Sequence, residues 1–131
     1  MSATERKEIS DNLAKTLLEP MLLGMVLKEK KIHAYGAISK IKKDLHVYLG
    51  PSTVYPLFKK MEKKGYVKSE WDMSGEKPRK MYSPTSKTET VYRAWMEELR
   101  VMSLWNSDNT IFMIEPENEI KPTQHLRNMT R

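Results

Sequence analysis

The stretch that decides the fold is Leu49 to Trp71, LGPSTVYPLFKKMEKKGYVKSEW. Val54, Leu57, Phe58 and Met61 recur at i, i+3, i+4 and i+7, the spacing of one apolar face on an α-helix. Ser52, Lys59 and Lys63 fall nearly opposite, flanked by Tyr55 and Lys60, so the outer face carries hydroxyls and ammonium groups. Pro56 does not suit the depth of a regular helix, so the helix should start near Ser52 or Thr53, or bend there. Gly65 stops it, because glycine readily takes the left-handed backbone that ends helices. Tyr66, Val67 and Trp71 then fall in a strand, so a basic amphipathic helix runs straight into β structure.

Working forward, Asp72 to Lys77 forms a hairpin tip around Gly75, and Arg79 to Ser83 returns as a second strand. Pro78 is tolerable only at a sheet edge or a strand start. Ser86-Lys87-Thr88-Glu89 spells a capping box that opens a last helix, with Val91, Trp95, Leu99 and Met102 on one stripe, running to about Trp105. Residues 106–131 read as an irregular tail with Pro116 and Pro122, in which Thr110 to Ile114 could form a short strand or a docking segment.

Working backward, a helix from about His33 to Lys43 has Ala34, Ala37, Ile38 and Ile41 as its buried stripe. Leu45, Val47 and Leu49 in the loop Asp44–Gly50 should tuck against the core. Leu18, Leu22, Met25 and Val26 mark a buried helix ending near Lys28, before the polar connection Lys28–Lys31. Ser2 to Leu18 carries Ile9, Leu13 and Leu17 at four-residue spacing behind a capping box of Ser2 and Glu5. Pro20 either kinks this helix or starts the next one. The fold class is therefore mainly α with a small β-hairpin: a winged helix-turn-helix plus a C-terminal dimerisation helix. The expected divisions are an N-terminal helical extension (1–18), the winged helix-turn-helix (19–84), the dimerisation helix (85–105) and the tail (106–131).

Charge is unevenly placed. The chain carries a net +6, yet Lys28 to Lys87 alone holds 15 Lys/Arg against 6 Asp/Glu. Positive charge concentrated in one folding unit suits a polyanion. Only 39% of the 131 residues are hydrophobic, so the core is modest and a partner subunit would help to bury apolar surface. The chain has no cysteine, which excludes disulfides, thiol chemistry and zinc fingers. The start MSATERKEIS is too charged for a signal peptide, and no apolar run is long enough to span a bilayer. A cytoplasmic protein without membrane contact is expected.

The B-DNA major groove accepts one α-helix, and the helix after Gly50 offers Ser52, Thr53, Tyr55, Lys59 and Lys63 on its outer side. Hydroxyls at a helix N-terminus suit phosphates, and lysine suits phosphate or guanine. In the hairpin, Lys77, Arg79 and Lys80 form a basic wing beside Gly75, suited to the backbone or the minor groove. Two basic elements adjacent in one compact order point to double-stranded DNA.

Residues 20–85 resemble the PadR family of prokaryotic transcriptional regulators. The resemblance rests on His33-Ala34-Tyr35, on Gly50 through Leu57 (GPSTVYPL), on Met61 through Val67 (MEKKGYV) and on Gly75 through Tyr82 (GEKPRKMY). The second block is the most specific of these. Ala34 stands where the family has glycine, Gly36 where glutamate is common, and Lys77 in place of the first wing arginine. Pro84 and Thr88 stand where leucine and glycine are usual, so operator sequence and subfamily stay open. The resemblance implies a homodimer that binds palindromic operators, usually as a repressor, with Tyr35 and the wing anchoring phosphates. It also implies a dimer interface built from the C-terminal helix, here Val91, Trp95, Leu99 and Met102, often packed with the first helix. Some relatives bind aromatic effectors near that helix, so Trp95 and neighbouring methionines are candidates to line a small-molecule pocket.

Catalysis finds little support. His33, His46 and His125 are far apart and lack metal-ligand spacing, so no metal, cofactor or enzymatic activity is implied. Two other readings remain: a winged helix used as a protein-interaction module, and a regulator dominated by sensing a small aromatic effector.

Overall fold

Residues 1–106 are described in the structure, a computed structural model. The first helix, α1 (Ala3–Thr16), is opened by the capping box that Ser2 and Glu5 spell. The Glu5 N–H donates to the Ser2 hydroxyl at 3.1 Å, and the Ser2 N–H donates to the Glu5 carboxylate at 3.2 Å. These bonds hold the Glu5 carboxyl below its ordinary range. The backbone breaks helical geometry at Leu17, and α2 (Leu18–Glu29) starts afresh. Pro20 is the third residue of α2, within the first turn, where a missing N–H costs nothing. It therefore belongs to a new helix and does not kink the old one.

Helix α3 (Ala34–Leu45) ends at His46, which takes a left-handed backbone with φ 57°. Lys7 of α1 reaches this turn and donates to the His46 carbonyl at 2.7 Å. Helix α4 (Pro51–Lys63) begins one residue earlier than the proline argument allows, with Gly50 as N-cap and Pro51 at the first position. Pro56 lies inside it without ending it. It leaves the Ser52 carbonyl without the N–H four residues on, but Ser52 and Pro56 are both exposed, so water can take that place. At the other end Gly65 has φ 79°, with the Tyr66 N–H donating to the Met61 carbonyl and the Gly65 N–H to the Glu62 carbonyl, both at 2.9 Å. This is the double-bonded helix stop that glycine favours.

Strands β1 (Val67–Asp72) and β2 (Arg79–Pro84) pair antiparallel, with Val67 opposite Pro84, Ser69 opposite Tyr82 and Trp71 opposite Lys80. Ile32 adds a short bridge to Tyr82 through two backbone hydrogen bonds, tying the hairpin to the α2–α3 connection. The core joins Leu18, Leu22, Leu23 and Val26 of α2, Ala34, Ala37, Ile38 and Ile41 of α3, and Val54, Phe58 and Met61 of α4. Tyr82 closes it by stacking on Phe58, ring centroids 4.2 Å apart and 12° from parallel. Aromatic pairing of this kind fixes the hairpin against the inner face of α4.

Four apolar expectations differ from what is observed, one being Met25 of α2, which is half-buried while Leu23 is buried. Leu57 is only half-buried, because it lies at the margin of the α4 stripe. Leu45 is exposed, while Val47 and Leu49 are buried as expected. Ile9 and Leu13 are exposed on α1, and Ala14 is the buried residue there. A small side chain lets α1 approach through one narrow strip, which leaves the longer apolar chains outside.

Helix α5 (Thr88–Leu104) starts two residues after Ser86, which lies in the turn before it. Thr85 and Thr88 open it instead: the Thr85 N–H donates to Thr88 Oγ1 at 2.8 Å, and the Lys87 N–H donates to Thr85 Oγ1 at 3.1 Å. Each hydroxyl also donates backward, Thr85 to the Gly65 carbonyl at 2.7 Å and Thr88 to the Tyr66 carbonyl at 2.5 Å. A Ser86 cap would satisfy only its own helix, whereas this pair also serves carbonyls at the end of α4. Tyr92 then lies against Gly24 of α2, where an added Cβ would meet its ring at 3.1 Å. The chain divides into two compact units with the boundary inside α5, after Tyr92. In the second unit Met96, Met102 and Trp105 are exposed, Trp95 and Leu99 are half-buried and Leu104 is buried. The tail beyond residue 106, with the segment Thr110 to Ile114, lies outside the described residues.

Candidate nucleic-acid interface

The outer face of α4 and the hairpin enclose an open cleft of about 1170 Å³. Packing fixes its two walls. Phe58 faces inward from α4 to stack on Tyr82, while Lys59 points away from the apolar stripe and Tyr55 lies on its flank, both exposed. Glu62 braces the walls: it accepts from the Ser69 hydroxyl of β1 at 2.5 Å and pairs with the Lys80 ammonium of β2 at 3.6 Å. The recognition-type helix is thus connected through one carboxylate to both strands of the hairpin.

Tyr35, Tyr55, Lys59, Lys77, Arg79 and Lys80 all line this cleft. Tyr35 and Tyr55 meet edge to face across the α3–α4 junction, centroids 6.0 Å apart. Ser52 and Thr53 lie exposed on the first turn of α4 and Lys63 on its last, outside the cleft lining. Among the described residues, Lys59, Lys63 and Lys77 have no carboxylate within ion-pair distance. Of the other cations in the cleft lining, Lys80 is partly engaged, and among the described residues Arg79 has no carboxylate within ion-pair distance. Lys80 is turned toward Glu62 and also lies 5.9 Å from the Tyr82 ring centroid. Arg79 stands opposite Asp72 in the register. The hydroxyl and N–H of Ser74 hold the Asp72 carboxyl below its usual range, with Lys31 and Arg79 adding to the effect.

Burial, with Glu62 and Tyr55 nearby, pushes the Tyr82 phenol above its ordinary value, so it stays neutral where it stacks. The cleft lining thus sets this neutral phenol among the cations Lys59, Lys77, Arg79 and Lys80. Glu76 at the hairpin tip is the acidic exception in the lining.

The model of the transcriptional regulator PadR-like family matches residues 22–94, more than half of the chain. The chain belongs to the PadR-like family. Solved structures agree in fold. A PadR family transcriptional regulator from Eggerthella lenta is 27% identical, with a TM-score of 0.59 over 70% of this chain and 75% of that one. A transcriptional regulator from Clostridium thermocellum is 22% identical, with a TM-score of 0.63 over 70% of this chain and 91% of that one. Bacillus subtilis PadR, solved in complex with operator DNA, is 19% identical, with a TM-score of 0.55 over 87% of this chain and 56% of that one. No curated protein sequence matches the chain. Among the described residues, five helices with a two-stranded hairpin thus make the winged helix of PadR-like regulators.

In this PadR-like chain the lining also includes His33, Pro56 and Trp71, which the sequence reading left out of the site. Trp71 could have been found. Strand residues alternate faces, and Val67, Ser69 and Trp71 share the face turned to α4. His33, the N-cap of α3, gives no comparable signal in one sequence. Among the described residues no helix is long and apolar enough to cross a membrane, and no cluster of three or more His, Asp or Glu could hold a metal.

Proposed function

We propose that this chain binds double-stranded DNA in a sequence-specific manner, as a homodimer, and represses transcription at the sites it occupies. The observation that carries the reading is the cleft between α4 and the hairpin, rimmed by Lys59 and Lys77 and flanked by Arg79. A duplex presents one sugar–phosphate ridge between its major and minor grooves. With α4 in the major groove, that ridge falls between helix and wing, where the cations meet its phosphates. Tyr55, Lys59 and Lys63 then face base edges and phosphates, Ser52 and Thr53 approach phosphate at the start of α4, and Tyr35 anchors the backbone beside Tyr55. Lys77 and Arg79 follow the backbone from the wing, and Lys80 contributes to the extent that Glu62 releases it. Bacillus subtilis PadR, solved in complex with operator DNA, supports duplex DNA as the partner.

The homodimer reading rests on apolar side chains exposed to water: Met96, Met102 and Trp105 beside the half-buried Val91 and Leu99 in α5, and Ile9 and Leu13 in α1. A two-fold dimer presents two copies of α4, so the bound sequence should be palindromic. Repression follows from the family resemblance and from the occlusion that a bound dimer imposes. Selecting duplexes from a random pool tests the reading. Recovery of an inverted repeat supports it, and a recovered pool without shared sequence refutes it.

A further inference from the structure

Trp71 is 62% exposed, an unusual placement for the largest apolar side chain of the hairpin. Its surroundings give it a role. On β1, Val67 is buried, Ser69 reaches Glu62 of α4, and Trp71 is the next residue on that face, beyond the reach of the helix and inside the cleft. Its cross-strand neighbour is Lys80, whose ammonium is drawn toward Glu62. The cation directly across from the indole is thus engaged, while Lys59, Lys77 and Arg79 supply positive charge elsewhere in the lining. A nucleic-acid backbone alternates in the same way, with an anionic phosphate followed by a sugar whose flank is mostly C–H.

We infer that Trp71 is a DNA contact in its own right, packing its indole against a deoxyribose of the strand held between α4 and the wing. The inference rests on the duplex-DNA reading above and adds to it an apolar contact, insensitive to salt, next to the electrostatic ones. A tryptophan buries on the order of 200 Å² when covered, more than half of this one remains open, and a sugar against one ring face covers about half of that, so its removal should weaken binding on the order of ten-fold.

The test measures binding of the chain to a labelled mixed-sequence duplex across a salt series. Trp71→Ala should bind about ten-fold more weakly at every salt, with the slope of log affinity against log salt unchanged, and Trp71→Phe should recover most of the loss. In protein labelled with fluorotryptophan, the resonance assigned by Trp71→Phe should shift on saturation with duplex. Wild-type affinity in Trp71→Ala, a slope reduced by about one phosphate's worth, or an unmoved Trp71 resonance would each overturn the inference. Should Trp71→Ala lower thermal stability, the Trp71→Phe affinity and the resonance decide. If the wild-type chain binds no duplex at any salt, the functional reading falls and this inference with it. If it binds while Trp71 proves silent, only the inference falls.

Discussion

Replacing Glu62 by glutamine should move stability and duplex binding in opposite directions. Glu62 holds two partners at once, the Ser69 hydroxyl at 2.5 Å and the Lys80 ammonium at 3.6 Å. At an effective dielectric near 20, a pair at that separation attracts by about 5 kcal/mol before desolvation and ordering are counted. Both side chains are about one-third exposed, and pairs in that setting keep only about 0.2–1 kcal/mol. The Ser69 bond to an ionised acceptor adds about 1 kcal/mol more than the neutral amide would return. Glu62→Gln should therefore cost roughly 1–2 kcal/mol, or about 5–10 °C of melting temperature for a unit of this size. The same change releases Lys80 and removes a negative charge beside the cleft. Affinity for a mixed-sequence duplex at low salt should rise, and the salt slope should steepen by up to about 0.9 for one extra phosphate contact. Calorimetry and a salt series on the same preparation check both. A variant that is as stable as wild type, or that binds duplex more weakly at low salt, would refute the bracing role.

Other perturbations have equally definite outcomes. The Tyr82 phenol is raised by burial first, so the fold favours its neutral form; its contribution is full below about pH 10 and is lost as pH rises through the folded value. Tyr82→Phe should flatten that alkaline loss in pH-dependent unfolding, and an unchanged profile would contradict the assignment. Gly65→Ala meets nothing closer than the Lys87 side chain at 3.8 Å, so its cost, about 1–2 kcal/mol by denaturant unfolding, should come from the backbone at φ 79° alone. Thr88→Val keeps the shape of a fully buried side chain but orphans the Tyr66 carbonyl and the Thr85 N–H, and should cost roughly 2–4 kcal/mol. A loss below about 1 kcal/mol would mean that water replaces both bonds.

How much of this was legible in the sequence depended on whether a feature is periodic or relational. The spacing of Val54, Phe58 and Met61 determines which side of α4 turns inward whatever it meets, so its outer residues could be named in advance. Gly65 was equally readable, because its backbone requirement is local. What could not be read was which partner lies across a gap. Ile9 and Leu13 have helical spacing, but spacing does not say that α1 approaches through Ala14. Ser86 fits a capping box, yet Thr85 and Thr88 won because they also satisfy the Gly65 and Tyr66 carbonyls, 20 and 22 residues away. Lys80 looked equivalent to Lys77 until the hairpin register set it facing Glu62.

The most direct test of the central claim is the salt dependence of duplex binding by wild type and by Lys59→Ala combined with Arg79→Ala. The cleft geometry predicts weaker binding at low salt and a log–log slope shallower by up to about 1.8, for two lost phosphate contacts. A double variant with wild-type affinity and slope would place the duplex somewhere other than between α4 and the wing.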